Sequence, residues 1–241
     1  MMLRKWEDLP KEMQTAEVRP YYDALTKKRA SLFLKRAFDI AASLLLLLIL
    51  SPVFLVLAIA IKLDSEGPIF YRQTRITQYK RRFRIYKFRT MVNNADAVGT
   101  SVTVKGDARI TRVGGFIRRC RLDEIGQLID VLRGTMTFVG TRPEVPEYVG
   151  HYTPEMLATL LLPAGVTSEA SVYYKDESRL LDGAEDVDAV YVNRILPEKM
   201  CYNLKAIKEF SLLRDIKIML MTVLAVLGKD YKDGRGRDRV G

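Results

Sequence analysis

An uncharged, apolar stretch from Ile40 to Ile61, interrupted midway by Ser51-Pro52 and bracketed by Lys35-Arg36 and Lys62, constrains this chain more than any other feature. A bilayer core takes about 20 apolar residues in helical form, so the stretch reaches across or deep into a membrane. Pro52 removes one helical hydrogen bond and its ring clashes with the preceding turn, while the Ser51 hydroxyl can cover a freed backbone group. Two arrangements meet these constraints: a kinked helix that spans the bilayer, and a helix that enters, breaks at Ser51-Pro52 and returns to the same face. Lys27 to Arg36 forms a basic collar ahead of the stretch. The positive-inside rule draws both basic flanks to the cytoplasmic side, which the re-entrant form satisfies and the spanning form does not. The stretch begins late and has no small-residue cleavage site behind it, so it is expected to remain in the mature protein.

The 241 residues, 48% of them apolar, suffice for one domain with its own core plus a membrane element. The net charge of +10 is concentrated: Lys62 to Arg121 holds 15 Lys/Arg and 4 Asp/Glu. Such a block suits anionic headgroups, a phosphate-rich substrate or nucleic acid, and charge alone does not choose among them. No aromatic-rich RNA motif or recognition helix accompanies it, so nucleic acid is not the expected partner. Cys120 and Cys201 lack CxxC spacing and are expected to be reduced thiols. His151 is the sole histidine and reads as a surface residue, which excludes multi-His metal sites and argues against a Ser-His-Asp triad.

The pattern predicts an α+β, mainly helical protein: an N-terminal extension over 1–34 lying partly at the membrane surface, a membrane helix over 35–62, a globular domain over 63–228 and a disordered tail over 229–241. Ile69 to Thr74 and Phe83 to Met91 read as strands of a hairpin, and Asn93 to Gly106 as a flexible loop of the kind that closes over substrate. Leu122, Ile125, Ile129 and Leu132 recur at helical spacing and Gly134 is a natural stop, which predicts a helix from Asp123 to Arg133. Pro154 to Leu162, Asp186 to Ile195, Lys199 to Phe210 and Leu212 to Leu227 are further expected helices. Met219, Met221 and Leu224 of the last are assigned to the core rather than to a membrane surface.

Adjacent acids in the first turn of a helix are by themselves ordinary stabilisers of that end of the dipole. Asp123-Glu124, however, follows Arg118, Arg119 and Arg121, and Arg142 lies a short distance on in the Gly/Pro-bounded loop Val139 to Pro143. Carboxylates among arginines stay ionised and serve as nucleophiles or as ligands of a hard cation such as Mg²⁺. Arginine forks and the point charge of Lys87 suit phosphate oxygens, and phosphoryl transfer demands positioning and charge neutralisation above all.

Lys35-Arg36-Ala37-Phe38-Asp39, Ser51-Pro52, Gly67-Pro68-Ile69-Phe70-Tyr71-Arg72-Gln73, Lys87-Phe88-Arg89-Thr90-Met91, Leu122-Asp123-Glu124 and Val139-Gly140-Thr141-Arg142-Pro143 occur in that order. In this the chain, from about Lys35 to about Leu224, resembles the bacterial sugar transferases, the monotopic phosphoglycosyl transferases. The resemblance implies a re-entrant helix broken at Ser51 and Pro52 and a catalytic domain on the cytoplasmic face of the bacterial inner membrane, in contact with its phospholipids. It also implies transfer of a sugar-1-phosphate from a nucleotide diphosphate sugar, usually a UDP-sugar, to undecaprenyl phosphate, the polyprenyl phosphate acceptor. Asp123 would be the nucleophile of a covalent phosphosugar intermediate, and Glu124 would help hold Mg²⁺ or prepare the acceptor. Both acids stand as catalytic and metal-binding candidates, with Lys87, Arg118 and Arg142 binding phosphates, Arg89 a further candidate, and Arg119 and Arg121 surface or lipid-facing charges.

Two departures stand out. Thr141 replaces a proline in the usual Gly-Pro-Arg-Pro loop. Ala164 to Ser171 replaces a segment usually written Pro-Gly-Ile-Thr-Gly, an apolar residue, Ala and Gln, so that Ser168, Glu169 and Ser171 are out of pattern. The alternative to an enzyme is a membrane-tethered basic scaffold, which explains the charge and the apolar stretch but gives Asp123-Glu124 no task. Monomer and homodimer are both left open.

Overall fold

The computed structural model describes residues 3–93, 107–175, 177 and 186–231. The expected fold class holds: the described residues are mainly helical, with three two-stranded sheets among them. In chain order the elements are α1 (Arg19–Thr26), α2 (Arg29–Ile49), α3 (Ser51–Asp64), β1 (Phe70–Tyr71), β2 (Thr74–Ile76), β3 (Arg82–Arg84) and β4 (Lys87–Phe88). There follow α4 (Arg112–Arg119), α5 (Gln127–Arg133), β5 (Met136–Val139), α6 (Pro146–Val149), β6 (Ala164–Thr167) and α7 (Glu169–Tyr173). The last helices are α8 (Val187–Val190), α9 (Leu196–Lys208) and α10 (Leu212–Val226).

Helices α2 and α3 meet at 60° across Leu50. Pro52 falls in the first turn of α3, where a missing N–H leaves no hydrogen bond unmade, and the Ser51 hydroxyl donates to the Leu48 carbonyl at 2.8 Å. No single helix among the described residues is long and apolar enough to cross a membrane, whereas the bent pair together has that length and composition.

One face of α2 carries polar groups that are buried against the rest of the protein. Lys35, 3% exposed, donates to the Val139 carbonyl at 2.9 Å and pairs with Asp215 of α10 at 2.6 Å. Arg36 donates to the Val131 and Leu132 carbonyls, satisfying the orphan C-terminus of α5, and Gly134, at φ +79°, turns the chain immediately below it. Asp39, 1% exposed, accepts from the Thr137 hydroxyl at 2.7 Å and from the Phe138 amide at 3.3 Å. Three residues within little more than one helical turn, with Asp39 four beyond Lys35 and three beyond Arg36, thus fix α2 to β5, α5 and α10.

The expected hairpin is present with shorter strands, β1 pairing with β4 and β2 with β3, both antiparallel. Its tip turns through Tyr79 and Lys80, both in the left-handed region at φ 59°. The Tyr79 hydroxyl accepts from the Arg4 amide at 3.0 Å, so the N-terminal segment lies over the tip. Leu9, Met13, Val18 and Leu25 pack with Leu161 and Ile207 in one apolar cluster, making residues 3–28 part of the domain's core. Asp130 of α5 accepts from the Tyr86 amide at 2.8 Å and so ties the hairpin to α5. Strands β5 and β6 are parallel, in register Met136 to Ala164 and Val139 to Thr167.

Two sequence expectations require correction. Pro154 to Leu162 forms a tight 3₁₀ run, Met156–Leu161, rather than an α-helix. Beyond Pro163 the chain forms strand β6 and then α7. Met219, Met221 and Leu224 do not join the core: in α10 only Ile218 is buried, and Leu224 is 41% and Leu220 61% exposed, because α10 rests on α7 and β5 along a single stripe. The expected flexible loop over 94–106 and the tail over 232–241 lie outside the described residues.

Removing one partner of a buried ion pair costs about 3–5 kcal/mol because the other charge stays buried. Lys35→Met, which strands Asp215, is expected to lower stability by about that amount in thermal melts of detergent-solubilised protein. Lys62→Met, at an exposed position, is expected to stay within about 0.5 kcal/mol of the parent.

Candidate active site

Four elements converge on the acidic pair. Instead of one helix from Asp123 to Arg133, the chain forms a 3₁₀ turn, Leu122–Gly126, entered from Arg121 in the left-handed region at φ 52° and followed by α5. Both acids stand on that tight turn. Beside it runs β4, carrying Lys87, and above it the loop after β5, carrying Arg142. Arg142 Nη2 bonds Glu124 Oε1, its Nη1 reaches Glu124 Oε2 at 3.4 Å, and Lys87 Nζ reaches Glu124 Oε1 at 3.4 Å. The side chains of Lys87 and Glu124 are each 21% exposed, so the pairing is sheltered but open to solvent on one side.

The electrostatics separate the two acids. Burial opposes ionisation of Glu124, but Arg142 and then Lys87 outweigh it and hold the carboxyl well below the usual carboxylate range. Burial pushes Asp123 upward, and the Glu124 charge adds to it, while Lys87 and Arg118 pull it back. Burial likewise pushes the Lys87 ammonium down against the attraction of Glu124. The Glu124 carboxylate raises the pKa of Arg142. Glu124 is the counter-charge that Arg142 and Lys87 share, and among the described residues Asp123 forms no ion pair.

Of the sequence candidates, Lys87 and Arg142 both meet Glu124, and Asp123 adjoins it in the chain. Arg118, at the end of α4, reaches Asp123 through its field. Arg89 belongs elsewhere: 5% exposed, it donates to the Ser65 carbonyl at 2.6 Å and to Glu66, capping the C-terminus of α3. Arg119 and Arg121 are exposed, as expected. Arg75, on β2, was not singled out by the sequence; its guanidinium is held by Gln73 Oε1 at 2.6 Å and the Pro143 carbonyl at 3.2 Å, next to Arg142. Its place beside the apolar Ile76 was the one signal, and Arg82 and Arg84 beside Phe83 share it.

The loop bearing Arg142 is seated by a backbone contact. Gly140 donates to the Thr167 carbonyl at 3.0 Å and Gly165 to the Thr141 carbonyl at 2.8 Å. A Cβ on Gly165 would lie 2.2 Å from the backbone of Gly140, so only glycine permits this approach.

The family model for bacterial sugar transferases matches residues 30–229. The chain belongs to this family. A UDP-glucose:undecaprenyl-phosphate glucose-1-phosphate transferase of Caulobacter vibrioides is 36% identical over 199 residues, 81% of this chain and 70% of that protein. An exopolysaccharide production protein PSS of Rhizobium leguminosarum bv. phaseoli is 38% identical over 212 residues, 83% of this chain and 99% of that protein. A UDP-N-acetylgalactosamine-undecaprenyl-phosphate N-acetylgalactosaminephosphotransferase of Aeromonas hydrophila is 34% identical, over 81% of this chain but only 44% of its own length.

In this chain the residues after β6 that depart from the family pattern have structural partners. The Ser168 hydroxyl caps α7 by accepting from the Ser171 amide at 3.0 Å, and Glu169 pairs with Arg214 of α10 at 2.6 Å. Thr167 and Thr222 hydroxyls meet at 2.7 Å beside them. The departure binds α7 to α10 while leaving the Gly140–Gly165 contact unchanged. Gly165→Ala forces the Arg142 loop to move and is expected to cost about 1–3 kcal/mol, the range for overpacking, read as a lower melting midpoint.

Proposed function

We propose that this protein transfers a sugar-1-phosphate from a UDP-sugar to undecaprenyl phosphate, giving a polyprenyl diphosphate sugar and UMP. The observation that carries this reading is the division of labour between the acids: Glu124 is committed to Arg142 and Lys87, and Asp123, next to it, forms no ion pair among the described residues. Curated relatives named for glucose-1-phosphate, N-acetylgalactosamine and galactose phosphotransfer to undecaprenyl phosphate support the reaction class.

In the first half-reaction a carboxylate oxygen of Asp123 attacks the sugar-bearing phosphorus. The Asp123 O–P bond forms and the bond to the bridging oxygen breaks, with UMP leaving on that electron pair. In the second, a phosphate oxygen of the lipid attacks the same phosphorus and releases Asp123. Lys87, Arg118 and Arg142 hold phosphate oxygens as charge shifts, and need no reorganisation because Glu124 and the Gly140–Gly165 contact already fix Arg142. Mg²⁺ belongs to the reading. Among the described residues no group of three or more His, Cys, Asp or Glu offers an all-protein cage. A pair of carboxylates completed by substrate phosphates is the way this cation is commonly held. Asp123 and Glu124 would hold it, and the bound ion would neutralise diphosphate charge.

The reading places the bent pair α2–α3 in the cytoplasmic leaflet of the bacterial inner membrane. Its support is the 60° bend, the apolar exposure of the pair, with Leu48 72%, Leu55 62% and Val56 64% exposed, and basic residues at both ends. The exposed stripe of α10 offers a second apolar surface to phospholipid.

The decisive assay is UMP release by purified protein in lipid particles, with undecaprenyl phosphate, Mg²⁺ and a panel of UDP-sugars. Release that depends on the lipid and falls by about 10³-fold or more in Asp123→Asn is the expected outcome, because a covalent step cannot proceed without its nucleophile. Undiminished turnover in that variant sinks the proposed nucleophile. Topology is tested separately: cysteines placed at Lys28 and Lys80 should both resist membrane-impermeant labelling from outside intact cells, and labelling at either restores the spanning helix.

A further inference from the structure

Behind Arg142 lies a second buried charge cluster to which the transfer reading gives no task. Glu144, two residues on and 7% exposed, accepts from the Tyr191 hydroxyl at 2.6 Å and lies 3.6 Å from Lys199 Nζ. Lys199, 6% exposed, donates to the Tyr191 hydroxyl at 3.0 Å and to Glu177 Oε2 at 2.9 Å. The backbone of the same loop is gripped from the other side, by Arg75 at the Pro143 carbonyl and by the Ile76 amide at the Glu144 carbonyl, 3.0 Å. The segment Arg142-Pro143-Glu144 is therefore held between β2 and the α8–α9 helix.

That helix is built for the task. A π-turn, Tyr191–Ile195, joins α8 to α9. Eight positions along a regular α-helix leave two side chains about 80° apart. The wider π-turn under-winds the helix and brings Tyr191 and Lys199 to one face, where both reach Glu144. π-Turns of this kind are uncommon and concentrate at functional sites. Stability alone is a weak reason for the cluster, because apolar side chains of the same volume commonly do as well as a buried ion pair.

We propose that Lys199 is a positioning residue for the transfer site: by neutralising Glu144 and Glu177 it leaves the Arg142 guanidinium on Glu124 and available to substrate phosphate. Without Lys199 the two carboxylates compete for the nearest cations, Arg142 and Arg75, and draw the loop off its seat. The field of both carboxylates already reaches Arg142. This inference rests on the transfer reading above.

The test compares UMP release and melting midpoint in the wild type, Lys199→Met and the double variant Glu144→Gln/Lys199→Met, over a donor concentration series. Displacement of a catalytic loop costs about tenfold to a hundredfold in rate. Lys199→Met is expected to lose that much in kcat with a smaller change in KM, and the double variant, which keeps Glu177 but has lost Glu144, the carboxylate on the Arg142 loop itself, to recover most of it. Wild-type turnover in Lys199→Met overturns the inference, and so does a loss that the double variant fails to recover, since a packing role predicts no recovery. Should Lys199→Met not fold, Tyr191→Phe keeps volume and charge and removes only the hydroxyl; a fall in kcat at unchanged melting midpoint supports the inference, and unchanged kcat overturns it. A wild type silent with every donor overturns the transfer reading itself, an outcome distinct from an active wild type with an indifferent Lys199 variant.

Discussion

The grip of Lys35, Arg36 and Asp39 on the body of the protein is the constraint from which the rest of the geometry follows. An amphipathic helix with one apolar stripe would attach by hydrophobic contact and could slide. Here α2 is apolar on its exposed face and attaches through buried polar groups, each with a directional partner: Lys35 to Asp215 and Val139, Arg36 to the end of α5, Asp39 to Thr137 and Phe138. Hydrogen bonds of this kind fix register as well as attachment. Their partners lie at the end of α5 and along β5, elements that run directly into the acidic turn and the Arg142 loop. The helix that the transfer reading sets in the membrane is thus bolted to the two segments that carry the chemistry.

The active cluster follows the same economy of buried charge. Glu124 sits between Arg142 and Lys87, one carboxylate against two cations, so these three side chains keep one positive charge in excess, which suits phosphate oxygens. Asp123 stays outside the pairing, and burial raises its pKa. The second cluster of Glu144, Tyr191, Lys199 and Glu177 repeats the arrangement one layer out, and the loop from Arg142 to Glu144 is common to both.

The segment following β6 shows how a departure from the family pattern is absorbed. Ser168 and Ser171 form a helix cap, and Glu169 finds Arg214 on α10. The polar residues that replace glycine, an apolar side chain and glutamine strengthen the attachment of α10 to α7 and keep clear of the glycine contact that seats Arg142. Sequence inspection registers the substitutions but not their partners, because Glu169 and Arg214 are separated by most of the C-terminal third of the chain.

What the sequence determined by itself is local or ordered along the chain: the apolar stretch and its break at Ser51-Pro52, the hairpin from Ile69 to Met91, the stop at Gly134, and the motif series that contains Asp123, Glu124, Lys87 and Arg142. Proline geometry, residue alternation and helical period act over a few residues and can be read directly. The tertiary structure decided the rest. It put Arg89 under α3 rather than at the phosphates, turned the start of the expected helix into a 3₁₀ turn, left one face of α10 uncovered and made the N-terminal residues part of the core. Each of these depends on which surface meets which, and for arginines, lysines and apolar helix faces alike the residue type is the same whether its partner is a phosphate, a backbone carbonyl or a lipid chain. Only the packed neighbours distinguish them.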